Sequence, residues 1–400
     1  MHRFHQELAA LALVSLVCVM AFSSSNASAA VDSDLPPLPM ETVGQVRTLP
    51  AQYPENWFWV LDGTFGHMLD GKMTLFDASA STISTQKKGM LNAALGGSFV
   101  EAKNRDEVYV FETFHSRGNR GARTDVVTIY SKTSLAPVAE IVWPVPIRYQ
   151  GAPQRYALQL IDNEKLLLAY NFTPASSVTV IDVESRKILN EVSTPGCTLI
   201  YPTGERGFSS LCNNGGMLST ELAADGQIIK QTRIEPFFDT DANPAFERPA
   251  IIDGLAYYPG FESYVHVIDM RGKVAKYVDT WDMLTDAERA ENWRPGGLGF
   301  IDKDSKGRFY LIMHPDGHDG SQNGGGSEVW VYDAKKQKRV GRYPLQSWGL
   351  ALGVSKGEKP LLMVTTGDMA LEVYDANSGE YLRTIQDAGQ ETPLMIFGVK

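Results

Sequence analysis

VTVIDVESRKIL (178–189), VHVIDMRGKVAKY (265–277) and VWVYDAKKQKRV (329–340) share one design: an apolar strand ending in Asp, a short polar turn, then a second strand. Four looser copies complete the set, MTLFDASASTI (73–83), VVTIYSKTSLAPV (126–138), MLSTELAADGQII (217–229) and LEVYDANSGEYLRTI (371–385). The first half of each copy is rich in Val, Ile, Leu and Tyr at period two, the pattern of a half-buried strand. The turns carry Asp, Ser, Lys and Gly, the residues of a hairpin loop. The residues at the strand ends are Asp77, Ser131, Asp182, Glu221, Asp269, Asp333 and Asp375. They recur about every 50 residues, close to the ~40–50 that one four-stranded propeller blade needs. Seven hairpins at that period predict an all-β fold, a seven-bladed β-propeller. No Trp-Asp or Gly-Gly doublet recurs, so the array is neither a WD nor a kelch repeat.

Working outward, residues 8–22 (LAALALVSLVCVMAF) follow Arg3 and precede SSSNASAA. A basic start, a short apolar run and an A-x-A site at Ala27-Ser28-Ala29 predict a secretory signal over 1–29 that is removed. The run is shorter than the ~20 residues that span a bilayer, so no membrane insertion is expected. Residues 30–56 hold five prolines (Pro36, Pro37, Pro39, Pro50, Pro54) and read as an extended arm ahead of the propeller, 57–400. DTWDMLTDAERAENW (279–293) predicts the one convincing helix, with a Thr285/Glu288 capping box and Pro295-Gly296-Gly297 as its stop.

Thirty-seven Lys and Arg against 47 Asp and Glu leave a net charge of -10, which argues against a nucleic-acid partner. Beyond the signal, two cysteines remain, Cys197 and Cys212. In an oxidising compartment such a pair is expected to be bridged, with Cα atoms ~4.4–6.8 Å apart; two separate buried thiols are the other reading. There is no Walker loop, G-x-S-x-G, H-E-x-x-H or C-x-x-C. His314-Pro315-Asp316-Gly317-His318-Asp319 is the most metal-like stretch, but it lacks a rigid ligand spacing and reads as a connection between strands. Arg117-Gly118-Asn119-Arg120-Gly121-Ala122-Arg123 is either a contact for an acidic partner or a loop whose arginines bond nearby carbonyls. The residues thus give no catalytic set and no metal site.

Several longer stretches carry a resemblance: LDGTFGHMLDGKMTLFD (61–77), RGNRGARTDVVTIY (117–130), FTPASSVTVIDV (172–183), LTDAERAENWRPGG (284–297), MHPDG (313–317) and TTGDMALEVYDANSGEYLRTI (365–385). Over roughly 45–398 the chain resembles the large (heavy) subunit of the quinoprotein amine dehydrogenases, the methylamine and aralkylamine (aromatic amine) enzymes. The resemblance implies a periplasmic assembly of two heavy and two light subunits, and a seven-bladed propeller for this chain. The cofactor, tryptophan tryptophylquinone, would then be built from two tryptophans of the light subunit, and none of this chain's seven Trp would be part of it. The cysteine spacing matches that family's intra-chain disulfide. The family's substrate-channel aromatic falls on Phe65 here. The implied reaction is oxidative deamination of a primary amine to aldehyde, ammonia and two electrons. The electrons would pass to a blue copper protein of the amicyanin or azurin type, or to a c-type cytochrome. GTFGHMLDGKMTLFD and MHPDG are closer to the aralkylamine branch, whereas HDGSQNGGGSE (318–328) matches neither branch. An exported propeller that only binds or scaffolds, without a light subunit, is the competing reading.

Overall fold

The computed structural model describes residues 48–63, 68–149, 153–389 and 393–400. The expected signal (1–29), most of the arm (30–47) and Phe65 therefore lie outside the described residues. No helix among the described residues is long and apolar enough to cross a membrane.

All seven hairpins form, and the recurring Asp explains their turns. Asp77, Asp182, Asp269, Asp333 and Asp375 each turn a carboxylate oxygen onto backbone N–H groups two or three residues on, at Ser79, Ser185, Arg271, Lys336, and Asn377 with Ser378. Such a side chain imitates a backbone turn, which fixes where each hairpin bends. Ser131 does the same for Ser134 through its hydroxyl. Glu221 reaches instead to the Lys273 ammonium of the next sheet.

The strands form antiparallel sheets, so the all-β propeller class is as expected. Five sheets are separate four-stranded blades: Pro393–Gly398 with Trp57–Asp62, Lys72–Asp77 and Lys87–Asn92; then the groups beginning at Ser98, Leu158, Cys197 and Ala250. The count of separate blades is thus five, not the expected seven. The remaining strands form one eight-stranded sheet, because Lys338–Val354 runs unbroken for 17 residues. Its first part pairs with Gly326–Asp333 and its last part with Leu361–Thr366.

Burial is most complete in second strands and falls toward the rim. Trp57–Asp62, Leu166–Asn171 and Gly207–Cys212 are buried at every position, whereas outer strands such as Ile228–Ile234 are mostly exposed. Inner strands are therefore covered on both faces, and the half-buried alternation read from the sequence holds only toward the rim. Aromatic pairs fill the seams between sheets. Trp59 meets Phe99 (5.4 Å between ring centres), Tyr156 meets Tyr201 (5.0 Å), Tyr201 meets Tyr258 (5.3 Å) and Tyr257 meets Phe309 (5.6 Å).

Two local expectations change. The helix covers only Asp286–Ala290. The capping box of Thr285 and Glu288 forms, but Lys276–Asp282 is claimed as an outer strand, and Asn292 in the left-handed region ends the helix before Pro295. Cys197 and Cys212 are bonded, at a Cα separation of 3.9 Å. That is shorter than expected because they are register partners on adjacent strands.

The ring is closed by pairing Pro393–Gly398 against Trp57–Asp62. Ile396 is fully buried at that seam. Ile396→Ala should cost about 2–5 kcal/mol of unfolding free energy, read from urea denaturation.

Candidate functional site

Antiparallel alternation sorts the connections. Those after the second and after the fourth strand of each sheet emerge at one end, and the longest loops are there. They are stitched to one another by backbone hydrogen bonds. Phe237 N–H donates to Gly215 O (2.9 Å), Gly297 N–H to Gln322 O (2.9 Å), Gly317 N–H to Asn292 O (2.8 Å) and Phe172 N–H to Ile147 O (3.1 Å). The result is a bonded layer, which suits a surface that must present a fixed shape. Gly63 and the short 3-10 turn Met68–Asp70, which flank Phe65, belong to this end. Gly63 has no room for a side chain: a Cβ there would come 2.9 Å from Leu394 Cδ1.

Glu107–Arg117 and Arg120–Ser131 make a hairpin of 11- and 12-residue strands, longer than its neighbours, so its tip projects from this end. Its base is held by buried charge. The Asp125 carboxylate accepts from Thr113 Oγ1 (2.7 Å), Arg123 Nε (2.9 Å) and Nη2 (3.0 Å), and the Arg148 backbone N–H (2.8 Å). Arg123 also donates to the Arg148 carbonyl (2.9 Å). Arg148 is itself buried; its guanidinium donates to Thr113 Oγ1 (3.1 Å) and Gly96 O (2.9 Å) and lies over the Phe111 ring. Burial pulls its pKa down to about 10, so it stays charged at neutral pH. Of the three arginines in the basic stretch, Arg123 is thus committed to the Arg148 carbonyl and Asp125, while Arg117 and Arg120 sit at the exposed tip.

Two cavities open beside segment 241–248. One, of ≈ 590 Å³, is lined by Tyr149, Tyr170, Phe172, Phe238, Glu247 and the disulfide; the other, of ≈ 450 Å³, by Phe246, Arg248, Phe261, Asp319 and Gln322. Burial raises the Glu247 carboxyl pKa, partly offset by Arg248. Aromatic faces beside a carboxylate suit an organic cation. The His314–Asp319 stretch is turned onto its own backbone: His314 Nδ1 lies 3.1 Å from Pro315 O and His318 Nδ1 2.9 Å from Asp316 O. No group of three or more His, Cys, Asp or Glu among the described residues could hold a metal ion.

The model of the methylamine dehydrogenase heavy chain (MADH) family matches residues 59–399. The chain belongs to that family. Methylamine dehydrogenase heavy chains similar to it include one from Methylorubrum extorquens, 28% identical over 329 residues (81% of this chain, 76% of that one), and one from Methylophilus methylotrophus, 26% identical over 344 residues (85% and 82%). A third, from Paracoccus versutus, is 30% identical over 285 residues, 70% of this chain and 65% of the relative. Among solved structures, a dihydro-heme d1 dehydrogenase superposes with a TM-score of 0.52 at 15% identity, covering 91% of this chain and 79% of its own. That likeness concerns fold alone.

Of the residues singled out in the sequence, the structure joins Cys197 to Cys212 and seats that bridge in a cavity wall. Reading the sequence misses Arg148, Asp125 and Glu247, isolated charges without a motif; only Asp125, a charge at the head of an apolar strand run, offers a hint.

The loop 236–249 is anchored by aromatic contacts to His266, whose ring centre lies 5.9 Å from that of Phe237 and 5.8 Å from that of Phe238. His266 is buried, with Nδ1 2.8 Å from Thr280 Oγ1, and burial lowers its pKa from 6.5 to about 4. Between those values the unfolded chain binds a proton that the folded one refuses, so stability falls as pH drops from 6.5 to 4. The loss should reach about 3 kcal/mol near pH 4. Urea midpoints at pH 7 and pH 4.5 should differ by clearly less in His266→Gln than in the parent.

Proposed function

We propose that this chain works as the heavy subunit of an exported amine dehydrogenase, holding a quinone-bearing light subunit against the layer of long loops. The family match over 59–399 carries the reading. It is supported by a layer of long loops stitched together by backbone hydrogen bonds, which offers a fixed surface for another chain. The cofactor, tryptophan tryptophylquinone on the light subunit, would supply the two-electron oxidation of a primary amine to aldehyde and ammonia. This chain's part is to line the approach, exclude water and orient the amine. Four of its seven tryptophans donate to side chains of the fold: Trp59 to Glu101, Trp143 to Thr179, Trp293 to Glu291 and Trp330 to Glu328.

The finer reading is an aralkylamine substrate, on the strength of GTFGHMLDGKMTLFD and MHPDG, although the relatives are named for methylamine. Electrons would leave to a blue copper protein or a c-type cytochrome in the periplasm. We also read the eight-stranded sheet as two blades run together through Lys338–Val354, each half carrying one of the seven hairpins, which makes seven blades in all.

Tagged chain expressed with its neighbouring genes should bring down a small, cysteine-rich, exported partner, and only that complex should reduce a redox dye with amine. Turnover by the chain alone, or no partner at all, would overturn the proposal.

Within the reconstituted complex, Phe65→Ala should change the ratio of kcat/KM for an aromatic over a small amine by about 10–200-fold with little change in thermal midpoint. A large fall in midpoint with an unchanged ratio would assign Phe65 to blade core.

A further inference from the structure

At the opposite end of the ring, the inner strands converge on an axial cavity of ≈ 480 Å³. Its wall is contributed by every sheet, through Phe99, Tyr156, Pro202, Ile251, Val354 and Phe397 among others. Five cationic side chains line it, Lys103, Arg155, Lys303, Lys356 and Lys400, against two carboxylates, Glu101 and Asp302.

Both carboxylates are already neutralised from within. Glu101 pairs with Lys132 at 2.7 Å, and both are buried. Asp302 pairs with Arg155 at 2.9 Å and accepts the Val354 N–H with its other oxygen. Glu164, near the rim, accepts the backbone N–H groups of Lys103 and Asn104. Lys356 is attracted by Glu101 and Asp302 and least by Glu55, and Lys303 by Asp302 and least by Asp253, all of them smaller than the effect of burial. No ion pair is formed by Lys103, Lys303, Lys356 or Lys400 among the described residues, although all four reach solvent. Each stands at or just beyond the end of an inner strand, which aims them at one mouth. Lys356 repels Lys103, Lys303 and Lys400. Burial lowers the Lys400 pKa to about 8, against the attraction of Glu101 and Glu164, with a smaller push from Lys356. A chain end at Lys400 would add one carboxylate, and the balance would stay positive.

Glu101, Asp302 and Glu164 attract these lysines, but each carboxylate already has its own partner, so four ammonium groups without a direct ion pair in a concave, partly apolar site would gain from an anion joining them. We propose that the axial mouth is a binding site for a small dianionic oxyanion of the phosphate class, held by Lys103, Lys303, Lys356 and Lys400. The site lies on the face opposite the long loops and does not rest on the amine dehydrogenase reading.

The test is calorimetric titration of inorganic phosphate into the full chain at pH 7 and constant ionic strength, with chloride as the control anion. Saturable binding of one phosphate per chain is expected, weakened at least ~10-fold in Lys356→Gln/Lys400→Gln and unchanged in Lys335→Gln, an exposed turn lysine elsewhere. Affinity should also fall as pH rises through 8, where Lys400 loses its proton. Without phosphate, the double variant should melt at or above the parent temperature, since like charges have been removed. Absent saturable binding, equal affinity in the double variant, or a lower melting point of that variant without phosphate would each overturn the proposal.

Discussion

Everything in this molecule depends on one act of pairing, the antiparallel match of Pro393–Gly398 with Trp57–Asp62. A row of sheets left open would expose the hydrogen-bonding edge of its first blade and the apolar flank of its last. Closure removes both at once and brings together residues more than 330 positions apart, such as Trp59 and Phe397. The inner strands can then be apolar on both faces, and the polar work is pushed to the two ends of the ring.

The chain divides those ends by loop length. Short turns after each inner strand leave one end tight around the axis, whereas the opposite connections are long enough to build a surface. Placing ionised groups in that surface is expensive, and the protein offsets the cost with partners rather than avoidance: the Asp125 carboxylate and the Arg148 guanidinium each have several, although Arg148 Nε has none. Such a network fixes where a loop leaves the sheet, because shifting one partner strands the others.

How much of this is legible in the sequence follows from which interactions are local. The hairpins are legible because an Asp and the turn it caps lie within three residues, as at Asp375. The capping box of Thr285 and Glu288 is legible for the same reason. The extent of that helix is not, because the strand 276–282 competes for its first residues through pairing with Tyr264–Asp269. The count of separate blades escapes too, since whether Lys338–Val354 breaks is decided by its neighbours on either side. At the candidate site, the cysteine pair can be read from compartment and number. Glu247 and Arg148 cannot, since their meaning comes from walls supplied by distant blades. The axial lysines are equally silent, being spread over nearly 300 residues and united only by ring geometry.

The unbroken strand Lys338–Val354 carries a last consequence. Where blades are separate, one can loosen its outer edge while its neighbour's hydrogen bonds stay shut. Here the same strand is outermost against Gly326–Asp333 and innermost against Leu361–Thr366, so an opening at the rim is transmitted along one backbone toward the axis. That third of the ring should therefore open in amide exchange as a single cooperative unit, with protection shared across eight strands rather than four.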